Sequence, residues 1–364
     1  MQFVDLKKQY DEYRREIDAA MAKVMNSAQF IMGPEIKELE TALSAFTGSR
    51  HAISCASGTD ALLLVLMAKG VGPGDEIITT PFTFIATAEV ISLLGATPVF
   101  VDIEERTFNI NPALIEKAIT PRTKGLLPVS LYGQAADMDA INAIAKKHGL
   151  WVMEDACQSF GASHKGIRSC NLSDFATTSF FPAKPLGCYG DGGAIFTNDD
   201  AVADVLCAMR NHGQKERYRH SWIGINGRLD TLQAAVLLVK LRYFESEIKR
   251  RNERAAYYTA GLAPHVKTPE VLAHNVSVYA QYTIRVKNRE ALAEKLKARG
   301  IPTAVHYPVP LHMQQAFSPL GYAKGSLPVS ERVSEEVLSL PMYAQLPQAD
   351  QDKVISAIVE AVRE

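Results

Sequence analysis

Short apolar runs alternate with amphipathic stretches between residues 51 and 200. The runs at 51–55, 76–80, 98–102, 125–130, 150–155 and 194–197 have strand length, and their near-continuous apolar character predicts strands covered on both faces. Helical spacing falls between them, at 59–69, 87–94, 112–118 and 138–147. Asn111-Pro112 marks one helix start, a capping side chain followed by proline at the first helical position. Strand–helix alternation of this kind predicts a parallel α/β sheet. Upstream, Ile17, Met21, Val24 and Met25 put an apolar face on a helix over about 10–25. Downstream, Leu232, Val236, Leu237 and Val239 place a connecting helix over 230–262. A strand at 279–286 and helices at 291–299, 330–338 and 351–362 then suggest a smaller α+β domain. The predicted division is 1–240, a large domain with an N-terminal helix, and 241–364, a small C-terminal domain.

The chain has 364 residues, more than one simple core accommodates. Lys plus Arg is 39 and Asp plus Glu is 40, so no basic excess argues for nucleic acid or a membrane surface. No apolar run is long enough to span a bilayer, and the first residues lack the pattern of a signal peptide. Five cysteines without a C-x-x-C pair fit reduced thiols in a cytoplasm, and the histidines show no metal spacing, so no metal is expected.

Candidate chemistry centres on Lys184, in Ser179-Phe-Phe-Pro-Ala-Lys184-Pro-Leu-Gly187, ahead of Gly190-Asp-Gly-Gly193. Apolar neighbours would desolvate its amine and favour the neutral, nucleophilic form. Asp155 ends the apolar run that begins at Leu150, where ligands of open α/β sheets bind. A lysine on a turn and an acid at a strand mouth suit pyridoxal phosphate, the amine reacting with the aldehyde and the acid holding the ring nitrogen protonated. Gly58 and Thr59 enter a helix directly after a strand, where free amides attract a phosphate; taken alone, the segment reads first as an ordinary helix cap. Ser179 offers a second hydroxyl, and Gln158 a donor toward a phenolic oxygen. Walker A, H-E-x-x-H, EF-hand and G-x-S-x-G patterns are absent, and the glycines at 187–192 lack the setting of a dinucleotide fingerprint.

Phe30-Ile-Met-Gly-Pro-Glu35, Ser57-Gly-Thr-Asp-Ala-Leu62, Pro81-Phe-Thr-Phe-Ile-Ala-Thr87, Glu154-Asp-Ala-Cys-Gln158, Gly224-Ile-Asn-Gly-Arg-Leu229 and His306-Tyr-Pro308 occur in that order around Lys184. Together they resemble the DegT/DnrJ/EryC1/StrS family of sugar aminotransferases through nearly the whole chain. The resemblance implies the aspartate aminotransferase-like fold, fold type I of the pyridoxal phosphate enzymes. It implies Lys184 as the Schiff-base lysine, Asp155 as partner of the pyridine nitrogen, Phe84 on the ring face, and Gln158 facing the ring oxygen. Gly58, Thr59 and Ser179 would hold the phosphate, joined by Asn226 from a second subunit of a homodimer. The implied reaction moves the amino group of L-glutamate, leaving 2-oxoglutarate, onto the C3 ketone of a UDP-linked uronic acid. Phe30, Ala183, His306 and Tyr307 would border the sugar. Family members acting on that uronate carry tyrosine and serine where this chain has Phe30 and Ala183. Arg228 would grip the substrate carboxylate or form a salt bridge between subunits.

Overall fold

The computed structural model describes residues 1–363. Seven strands form the central sheet: β1 (His51–Cys55), β2 (Glu76–Thr79), β3 (Thr97–Phe100), β4 (Thr123–Leu127), β5 (Trp151–Asp155), β6 (Phe175–Ser179) and β7 (Gly193–Thr197). Their order is β1-β7-β6-β5-β4-β2-β3. Neighbours from β6 to β3 run parallel, and β7 runs antiparallel to both β1 and β6. The run at 194–197, expected as one more parallel strand, is therefore the exception. It follows β6 after residues 180–192, which carry Lys184 and form no helix, so the chain returns beside β6 without the crossover helix that usually joins parallel strands.

Strand alternation explains why these runs are apolar throughout. Ile53, Ile77, Met153 and Ile195 pack on one face against α3 (Gly58–Ala68), α4 (Ala86–Leu93) and α7 (Asp200–Met209). Ile78, Leu126 and Val152 point the other way, toward α5 (Pro112–Ala118) and α6 (Met138–His148). Further along that second face, Ala52, Ala194 and Phe196 meet α2 (Pro34–Thr47) and Phe244 of α8 (Thr231–Leu262). Two helices here, α2 and α7, were not anticipated from the apolar spacing.

Helix α8 is continuous for 32 residues, and the expected boundary at 240 lies inside it. Its first half belongs to the core beneath the sheet, while Ala255, Tyr258 and Leu262 pack in a separate cluster with the C-terminal elements. The N-terminal helix α1 (Leu6–Ser27) lies along it, with Tyr13 stacked on Tyr243 at 4.4 Å and the Gln9 amide donating to Glu247 at 2.9 Å. The C-terminal elements are β8 (Tyr282–Arg285), α9 (Arg289–Ala298), α10 (Pro328–Glu336), β9 (Val337–Leu340) and α11 (Gln348–Arg363). Strands β8 and β9 pair antiparallel. The helix expected at 330–338 thus ends at Glu336, where the chain turns into a fully buried β-branched and leucine strand.

In the sheet centre, Gly125 has the Trp151 ring where a side chain would stand, 2.4 Å from the position of a β-carbon. Overpacking of this kind typically destabilises by about 1–3 kcal/mol. Gly125→Val should lower the denaturation midpoint accordingly in urea titrations, with Trp151 fluorescence altered in the folded baseline.

Candidate active site

The parallel strands end along one edge, and the segments leaving them enclose a cavity of about 510 Å³, within the usual range for a small-ligand site. Asp155 is the last residue of β5 and Ser179 the last of β6; α3 starts at Gly58, just beyond β1. Lys184 follows from the tight turn after β6, where its amide donates to the Phe181 carbonyl at 2.8 Å and the Cys188 amide to the Phe180 carbonyl at 2.8 Å. All four border the same cavity, with Thr59, Phe84, Gln158, Ala183, His306 and Tyr307.

At one end lies the start of α3. The Ser57 hydroxyl accepts the Asp60 amide at 3.0 Å, which leaves the Gly58 and Thr59 amides without a carbonyl one turn earlier. A β-carbon on Gly58 would lie 2.8 Å from the Ser179 β-carbon and 2.9 Å from Cys157 Sγ. Only glycine lets this helix end seat against the tips of β5 and β6. The cradle suits a phosphate, held by amides, a positive dipole end and the Thr59 and Ser179 hydroxyls.

Asp155 is buried, and its carboxylate is fixed at both oxygens. Thr87 Oγ1 donates to one at 2.8 Å and the Cys157 amide to the other at 3.1 Å. Thr87 in turn lies 3.0 Å from Thr83 Oγ1. Desolvation holds the Lys184 amine below the ordinary lysine value, opposed by the nearby Cys157 thiol and Asp155 carboxylate. Gln158 accepts the Tyr132 amide at 2.9 Å and donates to the Tyr307 hydroxyl at 3.0 Å. Burial pushes the Tyr307 hydroxyl up, so it keeps its own proton as a donor. Burial, with Lys184 nearby, lowers His306 to about 4, so its ring is neutral near pH 7. A lysine amine, a fixed buried carboxylate and a phosphate cradle around one cavity fit pyridoxal phosphate.

Three expected site residues stand apart from this cavity. Asn226 is exposed on the segment after a short hairpin formed by Gln214–Glu216 and Arg219–His220, bridged to Asn211. Arg228 donates to Asn211 Oδ1 at 2.6 Å, and its Nε has no partner among the described residues. Phe30 is exposed, its carbonyl accepting the Thr231 amide at 2.9 Å. Sequence reasoning gave no role to Thr83, Thr87, Asp191 or Gln281, all of which border the cavity. Helical spacing gave no signal for Thr83 and Thr87, because Thr83 lies in the bend ahead of α4. A larger hollow of about 860 Å³ lies among Lys267, Lys287 and Arg332. Its cations Arg285, Lys267 and Arg332 are paired with Glu105, and it holds no comparable reactive set.

Two measurements check this geometry. Thr87→Val removes one hydrogen bond to a charged group, worth ~1.5–3 kcal/mol. The carboxylate should loosen, and the apparent cofactor affinity in fluorescence titration should fall by about tenfold or more. His306, lowered from the usual 6.5 to about 4, binds its proton more readily when unfolded. Its contribution therefore lowers stability as pH falls from 6.5 to about 4, by at most roughly 3 kcal/mol. His306→Asn should flatten that part of the urea-midpoint profile of the cofactor-free protein.

The DegT/DnrJ/EryC1/StrS aminotransferase family profile matches residues 11–359. The UDP-2-acetamido-2-deoxy-3-oxo-D-glucuronate aminotransferase of Pseudomonas aeruginosa is 55% identical over 98% of this chain and 99% of its own. A DegT DnrJ EryC1 StrS aminotransferase from Brucella abortus superposes with a TM-score of 0.97 at 45% identity, covering 100% of both chains. NtdA from Bacillus subtilis, solved with bound cofactor PMP, gives a TM-score of 0.91 at 33% identity over 97% of this chain and 82% of its own. These neighbours share its mostly parallel α/β architecture, the type I fold of pyridoxal phosphate enzymes. By sequence match and by fold, the chain belongs to the DegT/DnrJ/EryC1/StrS aminotransferase family.

Proposed function

We propose that this protein is a pyridoxal phosphate-dependent aminotransferase that moves the amino group of L-glutamate to C3 of UDP-2-acetamido-2-deoxy-3-oxo-D-glucuronate, releasing 2-oxoglutarate. One observation carries the reading: a desolvated lysine, a buried carboxylate and an open helix N-terminus border one cavity. The 55% identical relative, named for that reaction, supports the choice of acceptor. Another nucleotide-linked 3- or 4-keto sugar is the alternative, favoured by Phe30 and Ala183, which bring no hydroxyl to the sugar side of the site.

Bound here, pyridoxal phosphate supplies an aldehyde that carries the amino group and a pyridinium that draws electrons from the adjoining carbon. Gly58, Thr59 and Ser179 hold its phosphate, Gln158 its phenolic oxygen, and Phe84 covers the ring. Asp155 keeps the ring nitrogen protonated, and Thr87 keeps Asp155 in place. Lys184 Nζ, held below the ordinary lysine value by desolvation, takes the proton from the α-carbon of L-glutamate and later delivers one to C3 of the sugar. General acid–base transfer of this kind is worth ~100- to 10,000-fold.

A homodimer with shared sites is part of the proposal. Phe30, Ile31, Met32, Phe84, Phe181 and Ile223 leave large apolar areas in water. A second copy would cover them and bring Asn226 and Arg228 toward the neighbouring cavity. Arg228, with its Nε unpartnered, is the candidate to grip the uronate carboxylate through two parallel bonds. His306 and Tyr307 line the sugar side. The balanced charge and reduced cysteines fit a cytoplasmic enzyme whose product supplies surface polysaccharide such as lipopolysaccharide O-antigen.

Lys184→Ala should abolish both the visible cofactor absorption and 2-oxoglutarate release in an assay with L-glutamate and a panel of UDP- and dTDP-linked keto sugars. A variant that retains normal turnover rejects Lys184 as the base. Arg228→Ala should raise KM for the uronate by about tenfold or more, and should erase the preference for uronate over the corresponding neutral sugar.

A further inference from the structure

Lys240 lies on α8, away from the cavity lining, and only 2% of its surface is exposed. Among the described residues its ammonium donates to one partner, the Gly187 carbonyl, and it stands 5.4 Å from the centre of the Tyr189 ring. Burial pushes the amine down to about 8, opposed by the Glu247 carboxylate and the Cys188 thiol, so near pH 7 it is still charged. Burying an ammonium on one acceptor is unfavourable, and a methionine of equal reach would fill the space without that cost. About two helical turns earlier, on the same side of α8, stands Gln233. Its side chain accepts the Tyr189 amide at 2.8 Å and donates to the Tyr189 carbonyl at 3.4 Å. Gly190 packs on the same amide, with Gln233 Nε2 2.9 Å from where a β-carbon would stand. Helix α8 thus grips the segment leaving the Lys184 turn at two points, Gly187 and Tyr189.

Resting on the aminotransferase reading above, we infer that Lys240 and Gln233 are positioning residues that clamp the segment after Lys184 to α8 and so set where the Lys184 amine stands. The turn's own bonds, from the Lys184 and Cys188 amides to the Phe181 and Phe180 carbonyls, fix its shape. The bonds from α8 add a reference outside it. The first half of α8 packs beneath the sheet, and its later residue Arg251 donates to the Tyr279 carbonyl, just before Gln281 at the cavity border. One helix therefore relates the reactive amine to both walls of the cavity. Proton transfer tolerates little error in that placement, since a shift of about 1 Å can cost about a hundredfold in rate.

The test follows the visible absorption of the holoenzyme as L-glutamate converts it, which gives a maximal rate and a half-saturation separately. Lys240→Met keeps the reach of the side chain and removes the donor. Its maximal rate should fall roughly ten- to hundredfold, while half-saturation for L-glutamate stays unchanged because no substrate contact is lost. Lys240→Gln, which returns a neutral donor, should recover most of that rate. Gln233→Leu releases the second point and should slow the reaction in the same way, so the question stays measurable if Lys240→Met does not fold. Val239→Ala is the control, on the side of α8 packed against Tyr13 and Ile17 of α1. It opens a gap in the core and should lower the urea midpoint with the maximal rate unchanged. A full rate in Lys240→Met or Gln233→Leu overturns the inference. So does a loss in half-saturation instead of rate, no recovery in Lys240→Gln, or an equal slowing in Val239→Ala. Wild-type holoenzyme whose visible absorption does not respond to L-glutamate overturns instead the aminotransferase reading.

Discussion

Keeping one lysine amine away from water is the constraint around which this site is arranged. Taking an ammonium group out of water disfavours its charged form, and desolvation holds Lys184 below the ordinary lysine value. The shift favours the neutral form that a nucleophile and proton carrier requires. The turn that holds Lys184 is correspondingly stiff. Its amides close on the Phe180 and Phe181 carbonyls, and the buried Lys240 ammonium donates to the Gly187 carbonyl. Gly187 itself has no space for a side chain, since a β-carbon there would lie 2.4 Å from the Pro182 carbonyl oxygen.

The neighbouring acids show how the sheet assigns different work to identical chemistry. Glu154 and Asp155 are adjacent on β5, so alternation sends them to opposite faces. Glu154 is buried among the Ser130 and Ser169 hydroxyls and the Cys170 amide, and burial pushes it up. Asp155 turns to the cavity and is clasped by Thr87. The first acid ties loops together beneath the sheet, and the second faces the reaction space. The C-terminal elements complete that space. Tyr132 joins them to it, donating its hydroxyl to the His306 carbonyl while its amide holds Gln158.

Much of this arrangement was readable along the chain because its signals are local. Strand and helix periods, Asn111-Pro112 as a helix start, and the acid ending an apolar run each need only a few neighbouring residues. Lys184, Asp155, Gly58 and Thr59 were identifiable for the same reason, and the ordered motifs added the family. Thr87 and Gln281 were not identifiable as site residues. A threonine beside a helix start is common, and a glutamine at the head of a strand gives no sign of whether its amide will be paired. Likewise, Val337 and Leu338 suit either a helix or a strand until β8 is available to pair with them.

The order of residues thus determined the elements, the chemistry of the reactive lysine and acid, and membership of a family, since each follows from composition and spacing over short distances. Tertiary structure decided which of those residues share a cavity, which strand runs against the others, and which polar atoms are left without a partner. Those outcomes depend on contacts between segments tens to hundreds of positions apart, where burial and geometry act but sequence spacing carries no record.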